Sequence, residues 1–406
     1  NFDMSFRCEA GCHKFFQTSA SMYSHLTTAR SCTWYMKGKL RDLGQMESSH
    51  SIQEEANLSE PNIIMQLTFN QVVDKLGLSY RTMKALHNKL DAMPERGGQW
   101  EQRVLKFDDN PEESFTIRFR NPIEVIKSLW KDPDLSPEMV FKPQQVYKDS
   151  SKEHRVYSEM WTGKWWNSLQ VRLNQGGTIA PVIIATDKTQ LTQFSGNKSA
   201  YPVYLTIGNI PKATRRKPSK HACILLGYLS VTKLNRSKMS DQAHRSKVHR
   251  LFHESMKIIL SPLIEAGRTG VEMIGSNGDV RKVFPILTTY VADYPEQCLV
   301  ACTKYGTCPK CKAPFTELQA TQPHEPRTQA WMESIMNNAR DQAKGNPRKF
   351  HDICMSHDVG GGAIRPFWEG FPLTDIHKAI SPDVLHQLYQ GVFKHLVGWC
   401  QAILTP

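Results

Sequence analysis

Apolar positions in this chain gather into runs whose period changes from place to place, and the densest runs lie between residues 178 and 293. That stretch opens on TIAPVIIATD, residues 178–187, which is apolar almost throughout and ends in an acid. A run without alternation reads as a strand buried on both faces, in the middle of a sheet. Two more strand-like runs follow, at residues 200–207 and 221–231. From about residue 242 to 266 the period lengthens, with Val248, Leu251, Met256, Ile259 and Leu260 at helical spacing. The stretch closes on residues 283–293, VFPILTTYVAD, a second apolar run that ends in an acid.

The flanks are less regular. Residues 47–61 are polar and read as a linker. Phe69, Val72, Val73, Leu76 and Leu78, then Met83, Leu86 and Leu90 behind Ser79, suggest two short helices, either a helix-turn-helix or plain packing helices. Residues 91–113 are turn-rich, Phe115 to Phe119 alternates as a strand, and residues 122–130 pattern as a short helix. Tyr157, Trp161, Trp165 and Trp166 form an aromatic cluster suited to packing on the sheet, or to stacking on bases. The chain starts at Asn1 and breaks off in a helical pattern after Trp399, so it is expected to be a piece of a longer protein.

Composition narrows the classes. The chain has 406 residues, and 40% of them are hydrophobic, enough to bury a core. No run of about 18 apolar residues predicts a membrane span, and no signal-peptide pattern is present. A net charge of +12 favours a polyanionic partner, nucleic acid first. The 10 cysteines cluster at short spacings, which without a secretion signal points to zinc more than to disulfides.

Two clusters are candidate zinc sites. Cys8, Cys12, His25 and Cys32 have the spacing Cys-x3-Cys-x12-His-x6-Cys, the soft ligands of a small finger. Cys308 and Cys311 form a Cys-x2-Cys knuckle. It needs two further ligands, and the candidates are His386 with His395, or Cys298 with Cys302. Spacing does not choose between them.

Three strands, a helix and a fourth strand, with Asp187 and Asp293 ending the first and the fourth, give the element order of an RNase H-like core. The acids have a direct rationale. Mg²⁺ prefers oxygen ligands, and two ions about 3.5–4 Å apart can clamp one phosphodiester. Strand ends hold carboxylates rigidly enough for that chemistry. Lys212, Arg215, Arg216, Lys217 and Lys220, in the loop between the second and third strands, suit a DNA backbone beside such a site or a solvated edge.

Several ordered blocks resemble the Plavaka transposases, fungal DNA transposases allied to the CACTA (En/Spm-like) group. They are ATDKTQLT from Ala185, GNKSAYPVY from Gly196, GNIP from Gly208, ADYPEQ from Ala292, CPKC from Cys308 and PDVLHQLYQGVFK from Pro382. The resemblance implies a DDE/D transposase, with Asp187 and Asp293 as the first two catalytic acids and Mg²⁺ or Mn²⁺ as cofactor. It also supports zinc at Cys308 and Cys311. The third acid is expected on a helix beyond Pro406, with Glu369 and Asp375 as weak substitutes.

The expected organisation is therefore α/β. It has a zinc finger (1–46), a linker and helical bridge (47–177), and an RNase H-like mixed sheet incomplete at its C-terminal side (178–297). An insertion with the second zinc knuckle follows (298–406). The expected activity is strand cleavage and strand transfer on double-stranded DNA in the nucleus, and, since transposases commonly act as multimers, a second copy of the chain is a candidate partner. The alternative is a truncated or domesticated remnant that only binds DNA through its zinc-held parts. With one four-ligand site per cluster, the purified chain should contain about two zinc ions. Elemental analysis that finds none would refute both sites.

Overall fold

The computed structural model describes residues 96–404, except 174–175, 193–197, 233, 235–238, 319, 361 and 363–364, with isolated residues before 96. The chain divides into two units, Asn1–Met93 and Pro94–Pro406. In the first, Phe6–Arg7 pairs antiparallel with Phe15–Phe16. His25 is helical and half-buried. Cys8, Cys12, Cys32 and most of the two helices expected at 66–90 lie outside the described residues.

The second unit is built on a mixed sheet. Its strands are β1 (Trp100–Phe107), β2 (Asn110–Arg120), β3 (Thr178–Thr186), β4 (Pro202–Ile207), β5 (Ile224–Tyr228), β6 (Val271–Ile274), β7 (Val280–Ala292) and β8 (Ile380–Pro382). Their order is β6-β7-β3-β4-β5-β2-β1, and β8 pairs with β7 on the edge shared with β6. β3, β4, β5, β2 and β1 pair antiparallel in turn. β7 lies parallel to β3, and β8 parallel to β7.

The apolar run of residues 178–186 becomes the central strand because it has cover on both sides: every residue of β3 except Ala185 is buried. On one face, α1 (Pro122–Lys131), α3 (Asp241–Leu260) and α4 (Pro262–Thr269) join the main core through Val125, Ile126, Phe252, Met256, Leu263 and Ala266. On the other, α2 (Lys164–Arg172) and the preceding turn bring Trp161, Trp166 and Leu169 onto Ile179, Phe284 and Ile286. The tryptophan cluster is thus largely packing, although Tyr157 stays exposed.

Differences from the expected elements have local causes. The helix expected from 242 to 266 is divided, because Pro262 cannot donate an N–H into the preceding turn and instead starts α4. The sheet also takes in β1 and β2 from the stretch expected to bridge. β1 was hard to read because it is a sheet edge with mostly exposed polar positions (WEQRVLKF). β6 and β8 are too short to show a period. Among the described residues, no helix is long and apolar enough to cross a membrane.

Gly227 lets β5 approach β2. A Cβ there would sit 2.9 Å from the Arg118 carbonyl oxygen and 3.0 Å from the Phe119 Cβ. Gly227→Ala is therefore expected to destabilise the unit by about 1–3 kcal/mol, the usual cost of overpacking, as read by urea unfolding. An unchanged midpoint would contradict the pairing.

Candidate active site

Three adjacent parallel strands each run into an aspartate. Val291 of β7 is opposite both Ala185 of β3 and Ser381 of β8, and Ala292 is opposite Pro382. One or two steps on, the chain reaches Asp187, Asp293 and Asp383. Strand neighbours lie roughly 5 Å apart, so Asp293 stands between the other two at one edge of the sheet. Ligands in sheets of this kind gather at the carboxyl ends of the parallel strands.

Local capping fixes two of the three. Asp293 caps α5 (Tyr294–Val300), its Oδ1 accepting from the Glu296 N–H at 2.9 Å. Asp383 caps the π-helical turn Val384–Phe393 and accepts from the Leu385 N–H at 2.9 Å. Its backbone N–H also donates to the Ala292 carbonyl at 3.0 Å, tying the start of this helix to the end of β7. Asp187 is exposed.

His386 donates from Nδ1 to Asp383. Burial opposes ionisation of Asp383, but hydrogen bonds from His386 and from the backbone outweigh it and lower its pKa. The His386 pKa is raised, first by that hydrogen bond and further by the charges of Asp383, Asp187 and Asp293. All three aspartates therefore act on one imidazole.

Beneath them lies Glu296. Its Oε1 accepts from Tyr201 at 2.8 Å and from the Thr186 hydroxyl, which in turn lies 2.9 Å from the Tyr290 hydroxyl. Burial pushes the Glu296 pKa up to about 7. Asp293 and Asp187 push in the same direction, against the two hydrogen bonds. Burial and Glu296 also raise Tyr201 and Tyr290. Gln297 completes this layer, with Nε2 donating to Ala292 O at 2.8 Å and to Gln387 Oε1 at 3.1 Å.

The oxygen donors at the three strand ends suit a hard divalent cation, which tolerates an incomplete protein shell filled by water and phosphate. Among the described residues, however, no group of three or more His, Cys, Asp or Glu is close enough to hold a metal ion on its own. Glu369 and Asp375 are used elsewhere. Glu369 lies 3.9 Å from Arg340, and Asp375 accepts from the His377 N–H.

The other candidate residues are dispersed. Cys308 and Cys311 stay together on a turn held by Arg327, whose Nε donates to the carbonyls of both, at 3.0 and 2.9 Å. Burial raises the Cys311 thiol, and Cys308 adds to the shift. His386 is engaged by Asp383, and His395 sits beside Trp399. Cys302 is buried against His253, with Sγ 3.3 Å from Nε2. Cys298 is buried near the Thr307 carbonyl. His377, which spacing did not single out, donates from Nδ1 to Pro309 O at 2.7 Å inside the Cys-x2-Cys turn. Its buried Nε2 has no hydrogen-bond partner among the described residues. That is the tautomer a metal-ligating histidine adopts.

The basic loop between β4 and β5 is not beside the aspartates. Ile207, where β4 ends, is opposite Val182, midway along β3, and the chain then runs on away from Asp187, with Gly208 N–H donating to Pro181 O and Asn209 to Ile179 O. Two of its cations are spent locally. Lys212 Nζ donates to Ser158 O at 2.8 Å, and Arg215 Nε to Ile210 O at 2.9 Å. Arg216 and Lys217 are exposed, and Lys220 is half-buried.

Asp383, Glu296 and His386 were not read as part of this site from sequence. Asp383 follows a three-residue strand, and Glu296 becomes buried only through tertiary contacts. The available signal was the pair of motifs Ala-Asp-Tyr-Pro-Glu-Gln and Pro-Asp-x-x-His, each an acid opening a helix.

The family model described as Plavaka transposase matches residues 80–400. No curated protein matches the chain.

Glu296 yields a prediction about stability. Its folded pKa, about 7, lies above its ordinary value of 4.5. Between those two pH values the unfolded chain loses a proton that the folded chain keeps, so stability falls as pH rises through this window. The loss should approach roughly 3 kcal/mol above pH 7, and Glu296→Gln should remove most of it. Denaturant titrations at several pH values check this, and an equal pH dependence in both proteins would refute it.

Proposed function

Because the chain belongs to the Plavaka transposase family, we propose that the three strand ends cleave DNA and join the freed strand to a target. The observation that carries this reading is the register that sets Asp187, Asp293 and Asp383 at the ends of neighbouring parallel strands. The sheet supports an RNase H-like core as well. Three antiparallel strands are followed by helices, a strand parallel to the first, and another parallel beyond it.

Asp187 and Asp293, with Asp383 beside them, would hold Mg²⁺ or Mn²⁺. Such ions, when bound, polarise a phosphodiester and lower the pKa of an attacking water. The protein's own groups have separate tasks. Asp293 and Asp383 are aimed by the helices they cap. Asp383 raises the His386 pKa and so favours the imidazolium, which would offer a cation to a nearby phosphate oxygen. Glu296, which burial holds protonated up to about pH 7, limits the negative charge that accumulates under the aspartates.

Zinc at Cys8, Cys12, His25 and Cys32, and at Cys308 and Cys311, belongs to the same reading, as does action on double-stranded DNA in the nucleus. The +12 charge supports the DNA partner.

Nicking of plasmid or transposon-end DNA in Mg²⁺ tests the proposal. Asp187→Asn and Asp293→Asn should each lower the rate on the order of 10²-fold or more, since several kcal/mol of charge stabilisation depend on them. Activity retained in either variant would sink the assignment. DNA binding without nicking in the unaltered chain would leave a binding protein only.

A further inference from the structure

Among the described residues, one side of the sheet near the aspartates has no cover. Side chains alternate along a strand, so Asp187 is in phase with Ala185, and Ala185 is opposite Tyr204. On β4 the same side includes Pro202, which is opposite Tyr228. The row continues through Arg118 to Gln102. In the next row, Arg120 is opposite Trp100. The tryptophan cluster covers this side only toward the start of β3. Toward the aspartate end, Tyr204 and Tyr228 are each 39% exposed, and Arg118 and Gln102 are exposed.

The exposed groups are ordered among themselves. Trp100 stacks on Tyr228 with ring centroids 6.1 Å apart and planes at 17°. The Arg120 guanidinium lies 4.3 Å over Trp100. Arg118 Nε donates to Gln102 Oε1 at 3.2 Å. Across the paired rows of β1 and β2, from Lys106–Ser114 to Trp100–Arg120, this side carries Lys106, Arg118 and Arg120 and no carboxylate. A surface built for a protein partner would normally mix charges. Rings interleaved with cations of one sign match a strand whose bases are apolar-faced and whose backbone is anionic.

We propose that this open face is a track for single-stranded DNA, leading from the three aspartates across β4, β5, β2 and β1. An unpaired base would lie on the exposed ring of Tyr228 or Tyr204, with phosphates beside Arg118 and Lys106. A duplex keeps its bases stacked internally and cannot use such rings, so the track selects unpaired strand. The identity of the polymer rests on the transposase reading, and the residues that hold it do not.

Binding of a fluorescent oligonucleotide tests the track. The full chain carries Asp187→Asn and is measured without added Mg²⁺ or Mn²⁺, so no cleavage step enters. Tyr228→Leu should weaken single-strand affinity by roughly 5- to 150-fold, the range for one stacked base, whereas Tyr228→Phe, which keeps the ring, should bind like the parent. Arg118→Gln should reduce the slope of log K against log salt by about 0.7. Thermal unfolding of each variant separates lost binding from lost fold. Parent-like affinity in both Tyr228→Leu and Arg118→Gln would overturn the track and leave the catalytic reading standing. Equal losses in Tyr228→Phe and Tyr228→Leu would also overturn it. Ring-dependent binding together with no nicking by the unaltered chain in Mg²⁺ would uphold the track and remove the catalytic reading.

Discussion

The parallel ladder between Val280–Ala292 and Thr178–Thr186 decides where every acid of the site ends up. A parallel pair needs a long crossover, and β4, β5, α3, α4 and β6 fill it. The ladder also has to end in phase, because a slip of one residue would turn Asp293 to the other side of the sheet. A bulge between Leu287 and Thr289 takes up one residue, and the Thr288 hydroxyl donates to Val182 O at 2.9 Å across it. Beyond the bulge, β7 offers its other edge to β8, which carries Asp383 into line.

Gathering carboxylates at one edge creates repulsion, and the surrounding groups moderate it in three ways. Asp293 and Asp383 take backbone N–H groups at helix starts, where the helix dipole also favours negative charge. His386 donates a hydrogen bond to Asp383, and its raised pKa favours the charged imidazole there. Glu296, the most buried acid of the group, holds its proton to about pH 7. Glu296 is held by Thr186 of β3 and by Tyr201 just before β4, and Thr186 in turn meets Tyr290 of β7, so the polar layer also ties β3 to both of its neighbours.

Much of this was legible along the chain, for physical reasons. The run at 178–186 has no alternation because the strand is buried on both faces, and its acid stands out for that reason. The same holds for Asp293 at the end of β7. What depends on contacts distant in sequence was hidden. β8 has three residues, so Asp383 looked like a simple helix cap. The basic loop at 212–220 has the right composition for DNA, yet antiparallel pairing carries it away from the aspartate end of β3. His386 had been a candidate zinc ligand on type and spacing alone, and its actual neighbour is Asp383. Tyr228 and Arg118 gave no signal at all, since only the sheet order brings residues so far apart in the chain into one row.

The most direct test of the shared site replaces Mg²⁺ with Fe²⁺ and uses ascorbate and peroxide to generate hydroxyl radicals at the bound ion. If the three strand ends hold one divalent-ion site, the polypeptide is cut near residues 187, 293 and 383 together, and added Mg²⁺ suppresses all three cuts in parallel. Cuts at only one of these positions, or cuts elsewhere that Mg²⁺ does not suppress, would contradict a site assembled by the parallel ladder.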